Sequence, residues 1–588
     1  MAEEHQNHPS PNTEVKPEPE VSQPAEPDKK EETGFRARLN RFRCWYVEHK
    51  KWTIPASVLL IILILAGVPF TRYQLAGLAL KRDVSLKVVD ATAATPVSGA
   101  TVSVGPVSAQ TDGSGKATLR HIKVGNQTVL ITKKYYKNSS IKLLNPILRQ
   151  KTVPSFQLTA TGRQVQITVT NLINKNPLAD VDISVGGVSA KTDKSGSATV
   201  VLPVGTSQQK THLSLNGYND ADVTVQVSND TIQNNQFNLT PAGKVYFLSK
   251  LSGTIDVVKT NLDGSDRQTV LAGTGKEDDQ NTVLLASRDW KYLALLSRRA
   301  GGSSPSLYLI DTSNDSVSTI DEGNINLQLL GWSDDYFTYI SSENGYQPWQ
   351  PKASSLKSYN AQTKQLAVLD STNAIGSSLS DAQYETFGAD PILLDNLVVY
   401  SKTWYQYPGY LQVAGQSNTL NVIKPNNTGR KTIKSLDSGQ SYFGSLVFHA
   451  PSSVYVQISN LDSSPSTFYE FNGIGLSQNN NLTSDDIFAA YPTYLYSPDD
   501  SQTFWSEPRD GKNTLFIGDG NGQNGKQIAT LSDYSPYGWY TTNYLLVSQN
   551  ASELYIMASD GKQTPIKISD YNKPAQTFNG YGGGYGGL

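Results

Sequence analysis

The chain has 588 residues, enough for about three or four domains. Charged residues make up 17% and the formal net charge is −2, so no basic excess argues for a nucleic-acid partner. A single cysteine, Cys44, excludes an intrachain disulfide, while 46 glycines, 29 prolines and 31 tyrosines suit many short strands and turns.

Residues 1–34 hold nine acidic residues and six prolines against three lysines, with no Trp, Tyr or Ile. Such a segment buries too little apolar surface to offset its ordering entropy, which predicts a disordered cytoplasmic tail. Residues 35–51 reverse the charge, with Arg36, Arg38, Arg41, Arg43, Lys50 and Lys51 against Glu48 alone. Residues 52–71 carry no charge and, at 1.5 Å per residue, would extend about 30 Å, the hydrocarbon thickness of a bilayer. The pattern predicts one transmembrane helix over 52–71, with the lipid bilayer as its partner and 35–51 as a basic juxtamembrane segment. A cleaved signal peptide ending near Ala66 and Gly67 is the rival, although the stretch before it is long for one. The basic bias before the span puts the N-terminus in the cytoplasm and the C-terminal bulk outside the cell membrane.

Beyond the span an internal repeat stands out. Residues 96–119 return at 177–200 with thirteen of twenty-four positions identical and no gap. Each copy opens with a period-two stretch, 84–89 and 165–170, and reaches a Thr-Asp-x-x-Gly turn at Thr111, Asp112 and Gly115 or Thr192, Asp193 and Gly196. Pro96, Gly99, Ala100, Val102 and this turn resemble the carboxypeptidase-regulatory-like family of immunoglobulin-like sandwiches. Copy two departs from that pattern at Asp180 and Val181. The resemblance implies two β-sandwich modules, 84–160 and 164–240, serving as spacers or surface-binding units without peptidase chemistry. Asp112 and Asp193 read better as turn residues than as calcium ligands.

A looser repeat fills 243–570. A short strand followed by an Asp, Asn or Gly turn recurs seven times, beginning at Thr254, Ser306, Ser355, Thr419, Thr467, Thr514 and Glu553. Ser-x-Asp leads precede several copies, at Ser287, Ser333 and Ser497. A period of about 50 residues suits four strands per unit, and the motif resembles TolB-type propeller repeats. The expectation is a mainly β chain ending in a β-propeller of seven blades, with six or eight allowed. Residues 571–588, rich in Gly and Tyr, are expected to form a flexible tail.

The candidate site rests on three enlarged loops, 298–305, 343–352 and 404–410. If their units are neighbours, the loops share one face, and Trp349, Trp404, Tyr405, Tyr407 and Tyr410 form an aromatic rim beside Arg298 and Arg299. Flat rings with polar handles suit sugars or peptide chains. Packing of the rings within their own loops is the alternative. No Gly-x-Ser-x-Gly elbow, Walker loop or His-Glu-x-x-His motif occurs, so no catalytic residue, metal site or cofactor is assigned. Asp334 with Asp335 and Asp499 with Asp500 are the carboxylate pairs a polysaccharide-acting enzyme would use. Asp519 to Gly525 only hints at a calcium loop. The expected function is a membrane-anchored, non-enzymatic binding or adhesion protein for an extracellular glycan or protein. The alternatives are that carboxylate enzyme and a transmembrane sensor.

Overall fold

The computed structural model describes residues 35–67, 73 and 76–573, apart from 93, 149–151, 204–206, 228–232, 346–349, 351, 377–380, 395, 408, 412, 451–452, 490–494, 530–533, 551 and 571. The predicted tail 1–34 and residues 574–588 lie outside the described residues. The chain divides into two compact units. One holds the N-terminal helices with 120–128 and 142–151, and the other holds nearly everything else.

In the first unit, helix α1 spans Phe35–Glu48 and helix α2 spans Lys50–Gly67. Thr53 ties them at the turn, its hydroxyl donating to the carbonyls of Tyr46 at 2.7 Å and His49 at 3.1 Å. The membrane span predicted over 52–71 is overturned here. Among the described residues no helix is long and apolar enough to cross a membrane. Helix α2 opens on Lys50 and Lys51, includes Thr53 and Ser57, and ends at Gly67. Beyond Lys51 its described residues extend about 24 Å, short of the roughly 30 Å of a hydrocarbon core. The uncharged count ran on through 68–71, which lie outside the described residues. The single-pass localisation falls with the span.

The second unit is built from strands. In copy two, Arg163–Asn171 pairs with Ser197–Leu202 and with Gln233–Leu239, forming a three-stranded sheet. Asp182–Val185, Val188–Lys191, Gln208–Ser214 and Ala221–Gln226 form a four-stranded one. Period-two alternation turns Val165, Ile167 and Val169 of one sheet toward Ile183, Val185 and Leu213 of the other, all in one buried core. Both copies join their first and last strands in parallel, Lys87 to Ser155 in one and Val165 to Gln233 in the other.

The repeated turn is the same to the atom. Thr111 donates to the Val97 carbonyl at 2.6 Å and accepts from the Ala100 amide at 2.8 Å. Thr192 does the same with Leu178 at 2.6 Å and Val181 at 2.9 Å. Asp112 accepts from the amides of Ser114 and Lys116, and Asp193 from those of Ser195 and Ser197. Gly115 and Gly196 sit at φ of 75° and 72°, where a Cβ would meet the Val88 or Val169 carbonyl oxygen at 2.4 or 2.5 Å. Only glycine fits both the conformation and the space. Copy two also packs onto the C-terminal domain. Asn171 donates to the Tyr544 hydroxyl at 2.7 Å, and Ile173 joins a core cluster of that domain.

The C-terminal domain is seven successive sheets. Each motif strand of the loose repeat takes the third place of four: Asp256–Thr260, Ser306–Asp311, Ser354–Asn360, Ser417–Ile423, Thr467–Phe471, Lys512–Asp519 and Glu553–Ala558. Successive sheets share apolar cores, and the first, second and seventh share one cluster, so the order closes on itself as a β-propeller. Closure is by strand exchange: Asn572 and Lys573 pair with Ser249 and Leu248, completing blade one from the far end of the chain. Two residues assigned to the flexible tail thus belong to a blade.

Buried tryptophans lock neighbouring blades. Trp332 donates its indole N–H to the Leu285 carbonyl of blade two at 2.9 Å, and Trp539 donates to Leu495 of blade six at 2.7 Å. The Ser-x-Asp leads are turns between first and second strands. In blade six, Ser497 Oγ donates to Asp499 at 2.7 Å and accepts from the Gln502 amide at 3.0 Å.

Candidate functional site

An antiparallel blade sends its first-to-second and third-to-fourth turns to one face. Its second-to-third connections go to the other, together with the links between blades. The loops 298–305, 343–352 and 404–410 all join second to third strands of blades two, three and four. They therefore share a face.

On that face blade four departs from its neighbours. Its sheet has six strands, and its second strand, Leu397–Gln406, runs ten residues. The first half of that strand pairs with Ile392–Leu394, the innermost strand of the blade. The second half pairs with Gln383–Phe387, which pairs in turn with Ala374–Ile375, so a small β-arm extends the blade.

Cross-strand partners Tyr384 and Tyr405 stack with ring centroids 5.7 Å apart. Burial raises both phenol pKa values, and the neighbouring Tyr405 and Tyr407 add to the effect on Tyr384. The Tyr407 amide donates to the Ala382 carbonyl at 2.9 Å. Tyr410, bridged back to Gln406, is 66% exposed at the tip. Trp404 points to the other side of the arm. It is 6% exposed, opposite Glu385 in the register, and its amide donates to Asn418 at 2.7 Å. Trp349 lies outside the described residues.

The arginines belong to a separate neighbourhood. Arg299 donates to the Ala272 carbonyl at 3.1 Å and lies 6.0 Å from the Tyr308 ring centroid. Arg298 faces Asp278 at 3.6 Å. The cavity beside Arg299 holds about 10 Å³, room for one water at most. Blade four thus gathers Tyr405, Tyr407 and Tyr410, while Arg298 and Arg299 are engaged where blades one and two meet.

Beneath the arm sits a charge network that no sequence motif announced. Lys402, 6% exposed, lies 2.6 Å from Glu385 and 3.7 Å from Asp370, and donates to the Ser371 carbonyl at 3.0 Å. Arg430 meets Asp370 at 3.0 Å, and the Tyr400 hydroxyl donates to its other oxygen at 2.8 Å. The Asn373 amide and side chain both donate to Glu385. Burial and the Asp370 charge push the Tyr400 phenol far above its usual range, so it stays a donor. Two cations offset two carboxylates, and each partner is hydrogen-bonded, as a buried ionic cluster requires. The signal was legible only as Lys402 inside a run of apolar strand residues.

The carboxylate pairs considered for catalysis lie on the opposite face. Asp499 is engaged by Ser497 and Ser501, and Asp500 pairs with Arg288 from blade two. Asp334 occupies a left-handed turn at φ 49°. Among the described residues no group of three His, Cys, Asp or Glu side chains could hold a metal ion. In the Asp519 loop the carboxylate accepts from the Gln523 amide and the Asn524 side chain, which closes the loop on itself.

No family model matches the chain, and no curated protein does. The carboxypeptidase-regulatory-like resemblance therefore rests on its motif residues alone. Among solved structures, the β-propeller domain of the Trilobed protease from Pyrococcus furiosus is 12% identical at a TM-score of 0.31, covering 63% of this chain and 96% of that one. TolB from Acinetobacter baumannii is 12% identical at 0.23, covering 54% and 74%. A prolyl endopeptidase is 11% identical at 0.33 over 55% of this chain, which spans 48% of its length. These likenesses accord with a propeller and carry no argument about activity.

Proposed function

We propose that this chain is a non-enzymatic binding protein whose propeller offers the blade-four arm to a glycan or polypeptide. The observation that supports the reading is the arm itself: extra strands that, among the described residues, one blade alone has, carrying a stacked tyrosine pair and a tyrosine 66% exposed at the tip. Rings of this kind give contact area and a hydrogen-bonding edge at low entropic cost. Glu385 is buried and Asp370 half-buried, and both are held by cations and hydrogen bonds, so they hold the blade together. The two repeats present the propeller as a spacer.

The test titrates the full chain with a panel of glycans and peptides, following tyrosine fluorescence and residual ligand together. Binding is expected to be saturable, to leave the ligand intact, and to weaken about tenfold in Tyr410→Ala and Tyr407→Ala. Product formation would replace this reading with the enzyme. Binding unchanged in both variants would remove the arm as the site.

A further inference from the structure

Between the two repeats lies a cleft of about 440 Å³, within the range of small-molecule sites. Its wall is polar without being acidic. Thr101, Gln110, Thr132 and Asn138 supply hydroxyl and amide groups, Lys133 and Lys134 supply charge, and among the described residues no carboxylate lines it.

Both ammonium groups face neutral partners. Lys133 donates to the Ser189 carbonyl of copy two and lies 3.3 Å from the Gly99 carbonyl. Lys134 donates to the Gly186 carbonyl at 3.3 Å and lies 5.2 Å from the centroid of the Tyr135 ring. Burial without a compensating charge pulls the Lys133 pKa down to about 8.

The turn itself does not need this lysine pair. In copy one the Tyr136 amide donates to the Lys133 carbonyl at 3.1 Å, and the Lys137 amide donates to Thr159 at 2.9 Å. In copy two the Tyr218 amide donates to Leu215 at 3.0 Å, and the Asn219 amide donates to Thr240 at 2.9 Å. Leu215 and Asn216 thus stand where Lys133 and Lys134 do, in the same turn. A module that folds with leucine and asparagine there does not need two cations for its own turn; what the lysines add faces the cleft and copy two.

We propose that this cleft binds an acidic saccharide, its carboxylate held by Lys133 and Lys134 and its hydroxyls by Thr101, Gln110, Thr132 and Asn138. A carboxylate supplies the missing countercharge as a charge-assisted hydrogen bond. The four neutral groups match a polyhydroxylated ring, whereas a bare inorganic anion would leave them unused. This site is separate from the blade-four arm, and its test does not depend on that reading.

Calorimetric titration of the full chain with glucuronate, glucose and inorganic phosphate decides the matter. Glucuronate is expected to bind saturably, with glucose and phosphate each at least about tenfold weaker. Lys134→Asn places the copy-two residue in the same turn, keeps the fold, and is expected to weaken glucuronate by about tenfold. Lys133→Leu is expected to do the same, with circular dichroism confirming an unchanged fold. No saturable heat from glucuronate would overturn the proposal. So would glucose or phosphate binding as tightly, or affinity unchanged in both variants.

Discussion

The tandem repeats and the propeller blades repeat in different ways. In the repeats the identical residues include a whole turn, where Thr111 and Thr192, Asp112 and Asp193, and Gly115 and Gly196 meet the same backbone demands. A backbone that folds back sharply leaves amides and carbonyls that only a few side chains can reach, so substitution there is costly. In the blades little more than an apolar strand and an Asx turn recurs, because a blade needs only two faces that stack. The polar fastening between blades is improvised: an indole to a carbonyl at Trp332 and Trp539, a tyrosine and a lysine on Asp321 between blades two and three, and the ionic cluster of blade four. Repetition by backbone demand preserves residues, whereas repetition by stacking preserves only pattern.

The largest effect should come from breaking the improvised side. Lys402→Ala leaves the buried Glu385 without a cation, and is expected to cost about 3–5 kcal/mol in denaturant unfolding. A loss below about 1 kcal/mol would mean that Arg430 and Asn373 alone hold blade four, and that the cluster is dispensable. Next come the paired turns. Gly115→Ala and Gly196→Ala should each cost about 1–3 kcal/mol, and by similar amounts, because both force a Cβ onto a backbone carbonyl at positive φ. Unequal costs would show that the two copies share a sequence but not a constraint. The smallest effect concerns the blade turns. The serine hydroxyls of Ser497 and Ser501 hold the Asp499 carboxyl below its ordinary value. Its contribution is therefore present above the ordinary carboxylate pKa and lost as pH falls through the lowered one. Asp499→Asn should flatten that slope of the acid unfolding curve by a few tenths of a kcal/mol. A slope as steep as the parent's would take the blade lead out of the account.

This contrast also explains which features are visible from residues alone. The two repeats stand out because their identity lies where the backbone makes demands, and all seven motif strands align because they occupy one place in each blade. Trp404 resembles a rim residue because its surroundings are rich in tyrosine. Alternation along Leu397–Gln406 instead sets it opposite Glu385, on the buried side. The extra strands of blade four and the lysine beneath them leave no periodic trace. The membrane span is not read correctly from a count of uncharged residues, because such a count is not a length of helix, and α2 begins on lysines.

Asn572 and Lys573 pairing with Ser249 and Leu248 also sets a timetable for the nascent chain. Blade one is synthesised first and finished last, with more than three hundred residues to be translated between its two halves. At ribosomal rates of about 5–20 residues per second, Val245–Ser249 waits roughly 15–65 s with one edge unpaired. An exposed edge strand is a template for pairing with other chains. Ribosomes stalled before residue 572 would therefore release chains whose first blade recruits neighbours, and prompt completion of translation is itself a safeguard against aggregation.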